Sequence, residues 1–198
     1  TSFKPTSLNK LETGVDMFYS CTGMESWRWE LDMKKLTDGT RMFKDCSTLQ
    51  YVNSHMGDLE TATDMFRGCA QLRNAYIHLA SLSNASGMFA DCSVLSNVYS
   101  QKESNGSREF MKLDKLTDGS QMCYKCHALT TWHSDLPVLS NGGYMFCHSG
   151  LEAFGGGTDK AKKLDELVNG TGMFENTGSI KDVYISAKKL VDGTQMFY

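Results

Sequence analysis

Proline is scarce in this chain, two residues in 198, and no apolar run approaches the roughly 20 residues that a membrane-spanning helix needs. No direct membrane insertion is therefore expected. An excess of one charge is also missing. The 20 basic and 23 acidic residues leave a net charge of −3, with nothing surplus to neutralise phosphates, so no nucleic-acid partner is expected. The start, Thr1-Ser-Phe-Lys-Pro5, lacks both an initiator Met and a signal-type apolar stretch. It reads as a chain cut from something longer. The seven Cys are an odd number in a chain long enough to build its own core, which argues against a closed disulfide framework.

What the sequence does have is self-similarity. Met-Phe recurs at Met17-Phe18, Met42-Phe43, Met65-Phe66, Met88-Phe89, Met145-Phe146, Met173-Phe174 and Met196-Phe197, with Met122-Cys123 as the variant. Six residues before each Met stands Leu11, Leu36, Leu59, Leu82, Leu116, Leu139, Leu167 or Leu190, and three before that another apolar residue. The position midway between Leu and Met is Gly or Ala in every copy, as expected where backbones pass closely. Four after Met come Cys21, Cys46, Cys69, Cys92 and Cys126, then Ser149 and Thr177. The Met-to-Met intervals are 25, 23, 23, 34, 23, 28 and 23, so the period is 23 and three copies carry insertions. A unit this short cannot bury its own apolar face and gains stability by stacking on its neighbours, which makes residues 1–198 a single solenoid domain.

Each unit reads as three sides. A strand runs through Leu72–Ile77, Leu95–Tyr99 and Ile180–Ile185, where apolar and polar residues alternate. A short extended piece covers the Leu-x-x-Leu pair. A helical turn covers Met-Phe-x-x-Cys, with Asp38, Asn84, Asp118, Asn141, Asn169 and Asp192 as N-caps. Strands stack about 4.8 Å apart and helices need more room, so the expected fold is an α/β repeat: a curved solenoid of about eight units, strand sheet inside and short helical turns on the other face.

The pattern Leu36-Thr-Asp-Gly-Thr-Arg-Met-Phe-Lys-Asp-Cys-Ser-Thr-Leu49 resembles the BspA-type leucine-rich repeats of bacterial surface proteins, in the Met-Phe form found in surface lipoproteins. The resemblance covers residues 8 to 198 and departs from the pattern at Cys123, Ser149, Thr177 and the insertions. It implies a leucine-rich-repeat fold, an extracellular place on the bacterial cell surface, and adhesion or host contact. It carries over no fixed binding residues.

Several motifs dissolve in the repeat register. Cys123-Tyr-Lys-Cys126-His127 matches a haem-attachment signature, yet Cys126 is a ladder cysteine and Cys123 stands for a ladder Phe. The same register argues against zinc on these residues with Cys147 and His148. His133-Ser134-Asp135 has the letters of a hydrolytic triad, but on a strand Ser134 faces away from the other two. Gly155-Gly-Gly157 lacks the Lys-Ser/Thr of a phosphate loop. Asn84-Ala-Ser86, Asn105-Gly-Ser107 and Asn169-Gly-Thr171 are glycosylation sequons that matter only in a secreted eukaryotic product. Neither an enzyme nor a cofactor is implied.

With Ala75/Ile77 and Val183/Ile185 inward, the outward columns are Arg28, Asn53, Tyr76, Tyr99, His133, Gly155 and Tyr184; Glu30, His55, His78, Gln101, Asp135, Gly157 and Ser186; and Ser26, Tyr51, Asn74, Asn97, Thr131, Ala153 and Asp182. Irregular chemistry on a regular frame marks a binding face, and the ligand-binding candidates are Arg28, Tyr51, Asn53, His55, Asn74, Tyr76, His78, Tyr99, Gln101, His133, Asp135 and Tyr184. The bland alternative is that exposed Tyr serves strand propensity and neighbour packing. Glu30, His55 and His78 offer three metal donors, but no metal site is assigned. The insertions are expected to enter after the strand and before Leu-x-x-Leu, along one edge, with Asn105-Gly106 as a hairpin turn.

Two functional classes follow: a recognition module binding a protein or glycan, and a structural spacer or assembly component of an appendage or phage particle. The last unit stops two residues after its Met, which predicts partial exposure of Leu190, Met196 and Phe197, a natural chain that runs on past Tyr198, and end-on self-association through that coil.

Overall fold

A computed structural model describes residues 7–100, 109–155 and 161–198, with 27–32 as backbone only. The architecture is a parallel β-solenoid. Strands β1 (Ser26–Asp32), β2 (Tyr51–His55), β3 (Asn74–His78) and β4 (Asn97–Tyr99) form one sheet in that order, every pairing parallel. Further along, β5 (Ala153–Phe154) pairs with β7 (Asp182–Val183), and β6 (Lys162–Lys163) with β8 (Ile185–Ser186). On a second side, single parallel bridges link Thr13, Asp38, Thr61, Asn84, Asp118, Asn141, Asn169 and Asp192 in one continuous column.

The expected helical turns are not there: the described residues contain no helix. The Met-Phe-x-x-Cys corner is a run of linked tight turns. Met42 N–H bonds Gly39 O at 3.0 Å and Cys46 N–H bonds Phe43 O at 3.2 Å, with Arg41 (φ 54°) and Asp45 (φ 60°) left-handed at the third position of each turn. The pattern repeats along the chain, from Asp16 and Ser20 to Tyr144 and His148. The alternate amides then point along the solenoid axis: Gly39, Arg41, Phe43 and Asp45 donate to Thr61, Thr63, Met65 and Arg67 of the next coil at 2.9, 2.9, 2.8 and 2.7 Å. An α-helix would spend those donors within itself. The expected N-caps are Asx turns instead, Asp38 Oδ1 accepting from Thr40 N–H and Asp118 Oδ1 from Ser120 N–H, both at 2.9 Å. Turns need no more room than strands, so the ground for curvature is removed.

The core is a set of one-residue-type columns. Phe18, Phe43, Phe66 and Phe89 stack with ring centroids 5.2, 5.3 and 5.6 Å apart, and Phe146, Phe174 and Phe197 resume the stack at 5.8 and 5.6 Å. Each such pair is worth about 0.5–1.5 kcal/mol beyond burial. The Leu and Met columns are buried beside it from Met33 to Leu167. At Gly39 a Cβ would stand 3.1 Å from Met65 Cε, a contact that the flexible thioether can relieve, which is why Ala62 and Ala85 fit the same position. All seven cysteines are free thiols. Four of them do more than fill space: Cys46, Cys69, Cys92 and Cys126 each aim Sγ at the Phe carbonyl of the preceding coil, at 3.0–3.1 Å.

One coil departs from the pattern in two places at once. Cys123 replaces the ladder Phe, and Trp132 occupies the strand position that holds Val52, Ala75 and Val98 in earlier coils. Trp132 lays its ring edge-on against Phe146 at 5.0 Å. The smallest ladder residue and the largest strand-side residue thus share a coil, the combination that an exchange of volume between the two columns requires.

The insertions enter elsewhere than expected. In β1 the register runs Trp27↔Val52 and then Leu31↔Ser54, so the two extra residues form a bulge inside the strand. The third insertion also splits a strand, with Phe154↔Val183 on one side and Lys162↔Ile185 on the other. The second leaves after Ser100 and returns antiparallel, Tyr99 bridging Phe110 and Ser100 N–H bonding Glu109 O at 2.8 Å; its Asn105-Gly106 lies outside the described residues, as does Gly157. At the last coil Leu190 (37%) and Phe197 (61%) are exposed, but Met196 is buried at 4%, because its side chain folds inward beneath Gly170.

Candidate functional site

The outer face of the sheet is built by alternation. Val52/Ser54, Ala75/Ile77 and Val98/Ser100 turn inward and are buried, which turns Tyr51, Asn53 and His55, Asn74, Tyr76 and His78, and Asn97 and Tyr99 outward. In-register pairing aligns them as rows: Tyr51, Asn74 and Asn97; Asn53, Tyr76 and Tyr99; His55 and His78.

The aromatics close into one stripe. Tyr51 lies 5.3 Å from Tyr76, Tyr76 5.3 Å from Tyr99, Tyr99 6.0 Å from Phe110, and Phe110 3.9 Å from His133. Tyr76, expected as an outward binding residue, is only 5% exposed, because its ring is packed between Tyr51 and Tyr99. It is the stripe's support. Phe110 was invisible to the periodic reading because it belongs to an insertion. The returning strand slots it between Tyr99 and His133, filling the place where two successive coils would otherwise pair.

Lys162 is the other residue the repeat pattern missed. From β6 it reaches back to the preceding coil, its Nζ donating to His133 O at 2.8 Å and to Asp135 Oδ1 at 2.7 Å. The His133 imidazole sits below its ordinary pKa, first through burial and then through the Lys162 charge. His133 is therefore a neutral ring stacked on Phe110, and Asp135 is an exposed carboxylate already paired.

At one end of the stripe, Glu25, Ser26, Gln50, Tyr51, Arg73 and Asn74 line a cleft of about 230 Å³. Two buried polar atoms have no hydrogen-bond partner among the described residues, Asn53 Oδ1 and Trp132 Nε1. Asn53 is on the outer face beside the β1 bulge. Trp132 is a core residue, 5% exposed, whose buried indole N–H carries a desolvation cost.

Other candidates are separated by the geometry. Arg28 lies in the bulge, and register puts Asp32, not Glu30, beside His55, because the two extra residues shift the pairing. Gln101 lies outside the described residues. Tyr184 is half-buried opposite Gly155, whose φ of 90° brings it close to the Tyr184 backbone, and it is remote from the stripe in sequence register. Cys123 and Cys126 are buried, Cys126 bonded to Phe89 O at 3.1 Å, while His127 is exposed. Among the described residues, no three His, Cys, Asp or Glu side chains converge as a metal set, and no helix is long and apolar enough to cross a membrane.

Comparison with protein-family models, with curated proteins and with solved structures gives no match for this chain.

Proposed function

We propose that this chain is a non-enzymatic recognition module that binds a protein through the outer face of its strand sheet, as a bacterial cell-surface adhesin or host-contact protein. The observation that carries this reading is the stripe from Tyr51 to His133, continuous across coils and irregular in chemistry, on a frame whose buried Leu and Met columns keep to one residue class. A protein suits it better than a glycan. From Tyr76 to His133 the stripe rings lie nearly face to face, Tyr76 on Tyr99 at 21° and Phe110 on His133 at 24°, with Tyr51 tilted by 40° at its end; rings stacked on one another cover the faces on which sugars would stack. Asn74, Asn97, Arg73 and the cleft at Tyr51 supply adaptable polar contacts around them.

The repeat reading goes with it. Eight leucine-rich units of the BspA-like, Met-Phe kind accord with the bridge column from Thr13 to Asp192, and that resemblance is what points to the extracellular surface. Buried thiols held in the protonated form suit an oxidising location, because thiolate is the reactive species.

A second reading is a structural spacer or assembly component, in which the stacked coils serve as a rod. Sedimentation across a concentration series separates the two, since a spacer associates with itself. The recognition reading is tested by screening the immobilised chain on arrays of extracellular-matrix proteins and glycans beside a Tyr51→Ser/Tyr99→Ser variant. Retention of a protein by the parent chain and its loss by the variant supports it. Glycan-only retention, or equal retention by both, overturns it.

A further inference from the structure

The outer face carries a second kind of chemistry beside the aromatic stripe, and it does not depend on the recognition reading. Parallel pairing sets His55 of β2 in register with His78 of β3, and the two half-buried imidazoles lie 4.5 Å apart at their centroids, inclined by 39°. Two residues on, the chain has Gly57, where a Cβ would come within 3.2 Å of His55 Nε2 and 3.7 Å of His78 Cδ2. A side chain there would crowd the edges of both rings, and glycine leaves that space open. The β1 register continues the row to Asp32, next to His55.

We propose that His55 and His78 form a site for a divalent transition-metal ion of the zinc or copper class, with water or a donor from a bound partner completing the coordination. Imidazole nitrogen bonds these ions at about 2.0–2.1 Å, so two adjacent ligands stand about 3 Å apart around one metal. Small side-chain rotations close the gap from a 4.5 Å ring separation, because the neighbouring strands already hold both rings on one face. Hard cations are not expected, since calcium and magnesium take oxygen ligands. Two protein ligands leave the ion with open coordination positions, which makes it a bridge to an incoming carboxylate or imidazole. Protons compete for the same nitrogens, so affinity falls on acidification.

The test is calorimetric titration of the full chain with Cu²⁺, Zn²⁺ and Mg²⁺, with electron paramagnetic resonance of the Cu²⁺ form to count coordinated nitrogens. Saturable one-site binding of Cu²⁺ and Zn²⁺ but not Mg²⁺, two imidazole nitrogens on Cu²⁺, and at least a tenfold loss of affinity in both His55→Gln and His78→Gln are the expected results. The His148→Gln variant should bind as the parent does, and the melting temperature of each variant reports its folding. Absence of saturable Cu²⁺ and Zn²⁺ binding, or affinity unchanged by either substitution in a folded variant, would overturn the assignment.

Discussion

The Cys69 thiol lies 3.1 Å from the carbonyl oxygen of Phe43, one coil earlier, and the same contact recurs at Cys46, Cys92 and Cys126. Each ladder cysteine thus ties its coil to the previous one by a sulfur-to-backbone hydrogen bond while filling a small apolar slot. At the equivalent position Thr177 donates its hydroxyl to Phe174 O within its own coil at 2.6 Å, so a hydroxyl donor also fits there. The expected result is that Cys69→Ala costs about 1–2 kcal/mol and Cys69→Ser no more than that. Urea unfolding of both variants measures it, and a serine variant clearly worse than alanine would show that the thiol acts only as a hydrophobe.

The Phe column should carry the fold. Phe66 stacks between Phe43 and Phe89, so Phe66→Ala leaves a cavity that cannot collapse without moving both neighbours. A loss of about 3–5 kcal/mol is expected, with amide exchange accelerating in the adjoining coils as in any nearest-neighbour array. A loss below about 1 kcal/mol would contradict the column.

Cys123 and Trp132 should behave as a coupled pair. Cys123→Phe overfills the coil and Trp132→Val empties it, each at about 1–5 kcal/mol. The double variant, which restores the residue types of the earlier coils, is expected to recover at least about 1 kcal/mol relative to additivity. A thermodynamic double-mutant cycle gives the answer, and strict additivity would mean that the two sites do not share volume.

Alkali should weaken the fold through the thiols. Burial holds Cys46 and Cys147 up to about 11 from the ordinary 9.0, and pushes Cys69, Cys92 and Cys123 up as well. The unfolded chain releases these protons near pH 9 while the folded chain keeps them. Each contribution is whole below pH 9 and is lost as the pH climbs from there to the folded-state value, about 11 for Cys46 and Cys147 and higher for the other three, by about 1.4 kcal/mol per pH unit for each thiol. Urea midpoints measured from pH 8 to 10.5 should fall, and less steeply in Cys69→Ser; identical slopes for the two chains would count against buried thiols.

The inward columns were legible in the sequence because each repeats one residue class at a fixed interval. Periodicity could not distinguish a helical turn from linked tight turns at Met-Phe-x-x-Cys, since both put Met and Cys inward. The left-handed residues Arg41, Lys125 and Tyr144 are not residue types that announce such a conformation. Phe110 and Lys162 were hidden for another reason. They lie in insertions, where the repeat supplies no register; only the antiparallel return to Tyr99 brings Phe110 to the outer face, and only the resumed pairing with Ile185 brings Lys162 within reach of His133 and Asp135. Tyr76 was placed on the correct face, but its burial comes from neighbours in other coils that the strand pattern does not count.

The division of labour between core columns and outer stripe is tested most directly by one paired measurement on Tyr51→Ser/Tyr99→Ser: thermal midpoint and retention of the protein partner in the same preparation. The account predicts a folded variant whose midpoint falls by several degrees, as expected from losing the Tyr51–Tyr76, Tyr76–Tyr99 and Tyr99–Phe110 ring contacts at about 0.5–1.5 kcal/mol each, together with at least a tenfold loss of partner affinity. Undiminished affinity in that folded variant would contradict it.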